Sequence, residues 1–569
     1  MKRSCLPLSI VLTPVLLLAQ ASKLAPELQQ ASGVRPVPVI VQYKNVSPAL
    51  PLGVLGLRNL QASAPLGVIN GVEATVPADA LAALAADPRV AYVSPNRMVR
   101  GHMNNAAPAV IANYAWAQGL DGTRIGVALI DSGVHAVDDL GTASGGSRIL
   151  ASLDYTGEGT DDYYGHGTHV AGGIGGNGVD STCPICNVTI KGIAPNVNLI
   201  SFKVLDSQGR GSEGAVIQAI QAAIQMKASY NIRVMNLSLG RPVFESYKQD
   251  PLCQAVEQAW KAGIVVVVSA GNGGRDNSAG TAGYGTIESP GNDPYVITVG
   301  AANTSGTPGR TDDVMTSYSA KGPTAIDHIV KPDLVAPGNR IVSLAAPGWL
   351  EANYPQNLVP LSYYQSIGSA DASPNYFVLS GTSMAAGMVS GAAALMLQQD
   401  ATLMPDQIKA RLMKTAYKGL ARFVTITDGD TAYNVQSDIF TVGAGYLDVQ
   451  AALLNNDRAP GWAKSPTAAY DSVSGQAYFV ADTQTPWGLA LYYGKMALAP
   501  SPAVWGTATV WGPAEFVTGT PVSGNSAMWG SSAMWGNSAM WGNSAMWGNS
   551  AMWGNSAMWG NGVEVNGEN

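Results

Sequence analysis

The stretch RIGVALIDSG, residues 124–133, decides the fold, because a continuous apolar run ends directly in an aspartate and a turn. A run without polar alternation is typical of a strand that is buried on both faces of a sheet. Similar runs follow along the chain, separated by helical patterns such as SEGAVIQAIQAAIQMKA at 212–228. This alternation predicts an α/β fold with a mostly parallel sheet and helices on both faces. In such sheets, ligands bind at the carboxyl ends of the strands.

The composition of the 569-residue chain excludes several classes of protein. Its formal net charge is −7, and charged residues make up 12% of the sequence. A weakly charged, acidic chain lacks the basic surface that nucleic-acid binding requires, so we expect no nucleic-acid partner. With 46% hydrophobic residues, the chain does not have the composition of a disordered protein either.

Three polar residues occupy positions that suit nucleophilic catalysis. Asp131 ends the first strand, His166 opens a glycine-rich helix, and Ser383 lies at the start of a helix of small residues. A serine hydroxyl is a poor nucleophile until an imidazole takes its proton and a carboxylate orients that imidazole. The helix N-terminus adds a backbone N–H and a partial positive charge where an oxyanion forms. These residues are therefore the candidate catalytic residues.

The motifs around these residues, ALIDSG (128–133), HGTHVAG (166–172) and GTSMAAG (381–387), resemble the three active-site signatures of the subtilisin-like serine peptidases. Singly, each motif also fits a strand-end turn, a helix start or an N-cap. The order Asp, His, Ser differs from that of chymotrypsin-like enzymes and of α/β-hydrolases. The resemblance covers residues 104–457 and implies a secreted serine endopeptidase that acts on protein or peptide substrates through an acyl-enzyme.

The resemblance extends to segments on either side of the triad. SAGNGG (269–274) resembles the stretch that carries the oxyanion-hole asparagine, which is Asn272 here. NLSLG and GRGSE resemble the two segments whose backbones pair with the substrate. The substrate-binding residues that they imply are Gly211, Ser238, Leu239 and Gly240. Gly273 and Gly274 add no charge behind the asparagine, so we expect a pocket that prefers apolar or aromatic side chains.

We expect no required cofactor; calcium is possible, but the sequence does not indicate a site for it. His166 and His169 are three residues apart, but no HExxH motif accompanies them. The resemblance gives His166 the role of the base and implies that His169 is a packed structural residue. Members of the family often carry a calcium-binding loop before KGIAP, and the residues at this place, GGNGVDSTCPICNVTI (175–190), do not indicate one.

The first 21 residues have the pattern of a signal peptide. Lys2 and Arg3 precede an apolar run at 6–19, and Ala-Gln-Ala at 19–21 has the small-x-small form that signal peptidase cleaves. A short membrane anchor is the alternative, although the run is shorter than the roughly 20 residues that span a bilayer. We expect a secreted, extracellular protein, with cell-surface association as a further option.

Residues 22–103 are predicted to form a separate small domain. Apolar runs such as PVPVIVQYK (36–44) and a helical pattern at 77–88 fit the β-α-β-β-α-β order of a ferredoxin-like fold. Its net charge is positive, whereas that of 104–457 is negative, which suits two domains that dock. By resemblance, this domain is the family's propeptide, an inhibitor and folding aid that is cut within about 100–107.

Three cysteines remain once Cys5 leaves with the signal peptide. Cys183 and Cys186 form a CxxC motif with loop-like flanks. A redox motif would need a thioredoxin-like strand and helix, and zinc would need four ligands, of which only two are local. We favour a local disulfide in an exported protein, and a buried free thiol at Cys253.

The end of the sequence, residues 525–569, contains six hexads of the form NSAMWG or SSAMWG. A spacing of six places every Trp on one side of an extended strand, whereas a helix would scatter them. Either the repeat is flexible, or it forms an aromatic ladder that binds polysaccharide, a cell surface or another chain. The ladder motivates an alternative function, a surface adhesin with the peptidase fold as a platform. Residues 458–524 are interpreted as a linker or a small β-rich extension.

Overall fold

The structure, a computed structural model, describes most of the chain up to residue 471 and short segments beyond it. The described residues are 23–25, 28–29, 36–44, 61–66, 69–95, 106–278, 280–428, 431–458, 461–471, 476–480, 497–498, 514–515, 522–523 and 567–568. Two compact units divide the chain: Met1–Val99 with Gln365–Ser369, and Arg100–Tyr364 with Ala370–Asn569. Of the helices in the described ranges, none combines the length and the apolar character that a bilayer crossing requires.

The smaller unit is built on a four-stranded antiparallel sheet and one α-helix. Its elements in chain order are β1 Pro36–Tyr43, β2 Gln61–Leu66, β3 Gly71–Pro77, α1 Leu81–Ala86 and β4 Val90–Pro95. The strands lie in the order β2-β3-β1-β4, and every second residue of β1 from Val39 to Tyr43 is buried in the core. The first helix of the predicted ferredoxin-like order falls outside the described residues.

The larger unit contains a mostly parallel sheet with helices between its strands. The elements of this part, in chain order, are α2 Ala106–Ala109, α3 Ala112–Ala117, β5 Gly126–Asp131, β6 Ile149–Asp154, α4 His166–Gly175, β7 Asn198–Lys203, α5 Glu213–Tyr230, β8 Ile232–Leu237, α6 Pro251–Lys261, β9 Val265–Ser269, β10 Ile297–Asn303, β11 Val314–Met315 and β12 Leu334–Pro337. The strand order is β11-β10-β9-β8-β5-β7-β6, with β12 also paired to β10. Its neighbouring strands run parallel, except that β11 is antiparallel to β10.

The remaining elements of this unit surround that sheet. In chain order they are β13 Ile341–Leu344, α7 Trp349–Asn353, β14 Leu358–Pro360, β15 Ala372–Leu379, α8 Thr382–Gln399, α9 Pro405–Thr415, β16 Phe423–Asp428, β17 Thr431–Gln436, α10 Ile439–Val442 and α11 Val449–Leu454. β13, β15 and β14 form a small antiparallel sheet within the connection that leads to α8.

Helices cover both faces of the parallel sheet. Every residue of β5 and of β9 is buried, although successive side chains of a strand point to opposite faces. Such burial requires a packed layer on each side. One pair of helices, α4 and α8, packs together against the sheet, and so does the pair α5 and α6. The predicted α/β architecture is therefore confirmed.

The cysteines behave as the sequence predicts. Cys183 and Cys186 form a disulfide within the loop after α4. Cys253 on α6 is a free, buried thiol whose Sγ donates to Asn292 Oδ1 at 3.2 Å. Burial raises the pKa of this thiol, so Cys253 is held in its unreactive, protonated form.

Several predicted segments lie wholly or largely outside the described residues. The signal peptide at 1–21 and the hexads within 525–569 are among them. Part of the segment 458–524 is described, and it forms short strands. These are β18 Thr467–Asp471, β19 Gln476–Val480, β20 Ala497–Leu498, β21 Ala514–Glu515 and β22 Val522–Ser523.

Candidate active site

The carboxyl end of β5 carries an aspartate that is hydrogen-bonded to the first residue of α4. Asp131 is the last residue of β5 and is completely buried. Its Oδ1 accepts hydrogen bonds from His166 Nδ1 and from the Ser132 backbone N–H, each at 2.7 Å. With the proton on Nδ1 engaged by the carboxylate, the Nε2 atom of His166 is the nitrogen that can accept a proton.

A second buried carboxylate, that of Asp162, organises the start of α4. It accepts hydrogen bonds from the backbone N–H groups of Gly165 at 2.7 Å and Thr168 at 2.8 Å. It also accepts one from the Ser132 hydroxyl at 2.8 Å, and Ser132 Oγ accepts one from Gly167 N–H at 2.9 Å. Sequence reasoning missed Asp162, although an acidic residue just before a helix is a known capping signal.

These two carboxylates control the protonation of His166. Burial alone would lower the pKa of the imidazole, because it disfavours the charged form. The charge and hydrogen bond of Asp131, together with the charge of Asp162, outweigh this effect and raise the pKa above its ordinary value. The site therefore stabilises a histidine that has accepted a proton.

Ser383 lies in the first turn of α8, which runs beside α4. One turn further along both helices, a Cβ added at Gly387 would lie 3.5 Å from Val170 Cγ1. Another turn along, a Cβ added at Gly391 would lie 3.2 Å from Ile174 O. A step of four residues along α8 corresponds to a step of four residues along α4 in the same direction. The two helices are therefore parallel, with residues 166 and 383 at the same end.

The Ser383 side chain is buried and faces the segment after β8. Its hydroxyl donates to Ser238 O at 3.3 Å, which is a long hydrogen bond, and its backbone O accepts one from Ser238 Oγ at 2.9 Å. In this structure the hydroxyl is bonded to Ser238 and not to the imidazole. Asp131 and His166 are thus joined directly, whereas Ser383 is brought to the same region by helix packing.

Asn272 is oriented by the residue that precedes Ser383. Its Oδ1 accepts hydrogen bonds from the Thr382 backbone N–H at 3.0 Å and from Thr382 Oγ1 at 3.1 Å. Because the carbonyl oxygen of the amide is engaged, the Nδ2 group is left to donate elsewhere. The sequence prediction that Asn272 supplies a donor near Ser383 fits this orientation.

The four predicted substrate-binding residues lie in two segments. Ser238, Leu239 and Gly240 directly follow β8, and Gly211 precedes α5 in a turn that bridges to Leu205. An ion pair between Arg241 and Glu213 links the two segments. Arg241 follows Gly240 in the sequence, and Glu213 lies two residues after Gly211.

His169, one turn after the start of α4, has the structural environment that the sequence predicts. Its Nε2 lies 3.1 Å from both Ile341 O and Phe377 O, and the ring is buried. Burial, with a contribution from His166, lowers its pKa to about 3, so the ring stays neutral. Within the described ranges, no three His, Cys, Asp or Glu side chains are grouped as metal ligands would be.

A family model described as the subtilase family matches residues 122–445. The matched stretch is more than half of the chain and includes every site residue described above. The chain belongs to the subtilase family. As a subtilase, it is a serine-type endopeptidase.

Individual subtilases resemble it over 60% or more of its length. Serine protease AprX of Bacillus subtilis (strain 168) is 36% identical over 355 residues, which cover 60% of this chain and 73% of AprX. Subtilisin DY of Bacillus licheniformis is 32% identical over 345 residues, covering 61% and 96%. Subtilisin E of Bacillus subtilis (strain 168) is 31% identical over 389 residues, covering 68% of this subtilase and 81% of its own length.

Proposed function

We propose that this subtilase hydrolyses peptide bonds with Ser383 as nucleophile, His166 as general base and Asp131 as the residue that orients the imidazole. The observation that supports the proposal most strongly is the buried hydrogen bond of 2.7 Å between His166 Nδ1 and Asp131 Oδ1. It commits the imidazole to one tautomer and raises its affinity for a proton. Because α4 packs beside α8, Ser383 lies at the same end of the helix pair as His166.

The chemistry follows from these positions. Ser383 Oγ bonds to the carbonyl carbon of the substrate while its proton passes to His166 Nε2; for this, the hydroxyl exchanges Ser238 O for the imidazole. Asn272 Nδ2 and the Ser383 backbone N–H stabilise the oxyanion. The imidazolium then protonates the leaving amine, which gives the acyl-enzyme, and a water molecule activated by the same base hydrolyses it. No cofactor takes part.

Substrates of this reaction are proteins or peptides bound in an extended conformation. The backbone of Ser238, Leu239 and Gly240 forms one side of the binding groove, and that of Gly211 forms the other. Main-chain hydrogen bonds of this kind hold many sequences in the same register, so selectivity comes from the pockets that receive the side chains.

Peptide hydrolysis by purified wild type and by Ser383→Ala tests the triad. We expect the variant to fall to the background rate, because the nucleophile is gone, while Ser390→Ala keeps its activity. Ser390 is a matched control on the same helix, and its hydroxyl donates to Asn236 Oδ1 at 2.9 Å. Equal rates for Ser383→Ala and wild type would overturn the proposal.

We further propose that the protein is secreted as a zymogen. The signal segment at 1–21 directs export, and residues 22–103 act as the protein's own inhibitor until the chain is cut within about 100–107. Intact mass and N-terminal sequencing of the secreted product test this. Wild type should lose the smaller domain, whereas Ser383→Ala should keep it; removal from both would show that another protease makes the cut.

A second function, attachment, is supported by the hexads alone. We propose that the Trp residues spaced six apart within 525–560 bind a polysaccharide or cell surface. Deletion of 525–560 should abolish sedimentation with insoluble polysaccharide or cells and leave peptide hydrolysis unchanged. Unchanged sedimentation would exclude the tail as an anchor.

A further inference from the structure

A glutamate that has no hydrogen-bond or ion-pair partner among the described residues lies beside the proposed substrate-binding segment. Glu288 belongs to the loop between β9 and β10, far in sequence from the triad. Its backbone N–H donates to Ala270 O at 3.1 Å, next to Gly271 and Asn272. The residue that follows it, Ser289, exchanges two backbone hydrogen bonds with Arg241, at 2.8 and 3.0 Å. Glu288 is therefore fixed between the segment that ends in Gly240 and the segment that leads to Asn272.

The Glu288 side chain fills the space that two glycines leave open. A Cβ added at Gly271 would lie 2.8 Å from Glu288 Cδ and 3.1 Å from Oε2. A Cβ added at Gly240 would clash with the same carboxylate. No L side chain fits at either position without moving the carboxylate, so the head group of Glu288 lies directly against both segments.

The charge of this carboxylate is uncompensated. Among the described residues, none donates a hydrogen bond to it and no Lys or Arg pairs with it. Arg241 is the charged residue nearest to it along the flanking segments, and its guanidinium is engaged by Glu213, Glu245 and Asp250. Burial alone raises the pKa of Glu288 to about 7. A partly buried carboxylate of this kind is stabilised by any cation that reaches it.

We propose that Glu288 is the specificity-determining residue of this subtilase and selects substrates with a lysine or arginine side chain before the scissile bond. This inference rests on the proposed function. A substrate whose backbone pairs with 238–240 and whose carbonyl lies between Ser383 and Asn272 directs the side chain of that residue into the space between the two segments. Glu288 is the charged group that meets it there, and it replaces the expected preference for apolar or aromatic side chains.

The test compares kcat/KM for two peptide p-nitroanilides, succinyl-Ala-Ala-Pro-Lys and succinyl-Ala-Ala-Pro-Phe. In wild type we expect the lysine substrate to be preferred, and in Glu288→Gln we expect this Lys/Phe ratio to fall roughly ten- to a hundredfold. Glu288→Asp keeps the charge and should retain a lysine preference. The control Asp276→Asn removes an exposed carboxylate from the same region and should leave the ratio unchanged.

Competitive inhibition by benzamidine gives a second readout that is independent of leaving-group chemistry. The cation should inhibit hydrolysis of the phenylalanine substrate by wild type and lose most of its potency against Glu288→Gln. A Lys/Phe ratio that is the same in wild type and in Glu288→Gln, or an equal loss on both substrates, overturns the proposal. The triad proposal survives that outcome, because the comparison of Ser383→Ala with wild type tests it separately.

Discussion

At the scale of single residues, the protonation of the proposed base His166 should set the working pH range. The base must be neutral to accept the serine proton, and its pKa is raised above the ordinary value of about 6.5. The protonated, inactive form therefore persists to a higher pH than for a free histidine. We expect kcat/KM to be lost as the pH falls through a value above about 6.5, which a pH–rate profile measures.

Asp131→Asn tests the cause of that shift. The substitution removes the charge and the acceptor that hold His166 Nδ1, so we expect kcat/KM to fall by about 10⁴-fold. Any remaining activity should have its acid limb at lower pH. Asp161→Asn is the matched control, because Asp161 Oδ1 lies 2.9 Å from the Nδ1 atom of a different histidine, His135. An unshifted acid limb in Asp131→Asn would contradict the assignment.

The proposed triad was predicted from the sequence because each of its members sits in a motif with a chemical reason for its place. Glu288 could not be named in the same way. The sequence shows no charge directly after Asn272, whereas Glu288 belongs to a loop that is hydrogen-bonded to residues 241 and 270. Asp162 was missed because its partners become visible only once the chain is folded.

At the scale of elements, the packing of α4 against α8 depends on glycine at particular positions. A Cβ at Gly391 would lie 2.6 Å from Ile193 Cβ, which is shorter than side chains tolerate. A Cβ at Gly387 would meet its nearest neighbours, in Val170 and Ile174, at an ordinary 3.5 Å. The sequence predicts a helix of small residues here. It does not show that Gly391 is in close contact with a neighbour and that Gly387 is not.

Gly391→Ala and Gly387→Ala are therefore a matched pair with opposite expectations. The first should destabilise the protein by about 1–3 kcal/mol, because the helix has to move away from Ile193. The second should be neutral or stabilise by up to about 1 kcal/mol, since alanine is the better helix former. Urea unfolding measures both; equal midpoints for the two variants would contradict the packing described.

A buried ion cluster holds α9 to the end of the parallel sheet. Asp333 Oδ2 pairs with Lys331 Nζ at 2.7 Å and Oδ1 with Lys409 Nζ at 3.2 Å, and all three side chains are fully buried. Burial alone would raise the pKa of Asp333, but the two lysines outweigh it and lower the pKa. The carboxylate therefore stays ionised and offsets one positive charge, while burial lowers the pKa of Lys409 to about 7.

Asp333→Asn should destabilise the protein by about 3–5 kcal/mol, because it removes the carboxylate that pairs directly with the buried Lys331 and Lys409. Thermal or urea unfolding measures the change. Asp457→Asn, which breaks the exposed pair with Lys414, should leave the unfolding midpoint unchanged. A midpoint for Asp333→Asn that matches this control would show that the cluster contributes little.

At the scale of the whole molecule, a contact between distant parts of the sequence closes the larger unit near its proposed active site. Glu568 is buried, and its carboxylate accepts hydrogen bonds from Ser317 N–H and from Arg275, both at 2.9 Å. Asn339 exchanges two hydrogen bonds of 2.8 Å with the Glu568 backbone. Nothing in the local pattern of 567–568 predicts this contact, since its partners lie more than 200 residues away.

Glu568→Gln should lower the free energy of unfolding by about 1–3 kcal/mol, because the amide cannot satisfy all of the buried donors. Glu564→Gln changes the same residue type four positions earlier and serves as the control. Differential scanning of the full chain measures both transitions. Equal melting temperatures would mean that the docked segment does not stabilise the fold.

The alternation of strands and helices in the large domain was predictable, because continuous apolar runs and helical patterns alternate over 124–270. The sheet order was not stated from the sequence, since strand neighbours depend on how the crossovers pack. In the predicted small domain, the apolar run at 36–44 and the helical pattern at 77–88 lie close to the observed β1 and α1. How residues 1–21 and 525–560 behave stays a prediction.

The most direct test of the triad is to locate the covalent adduct of a fluorophosphonate by peptide mass spectrometry. An activated serine reacts with such a reagent, whereas ordinary serines do not. We expect a single adduct on Ser383 in wild type, and none in His166→Ala within the same reaction time. Labelling at another serine, or equal labelling of Ser383 without the histidine, would contradict the proposed mechanism.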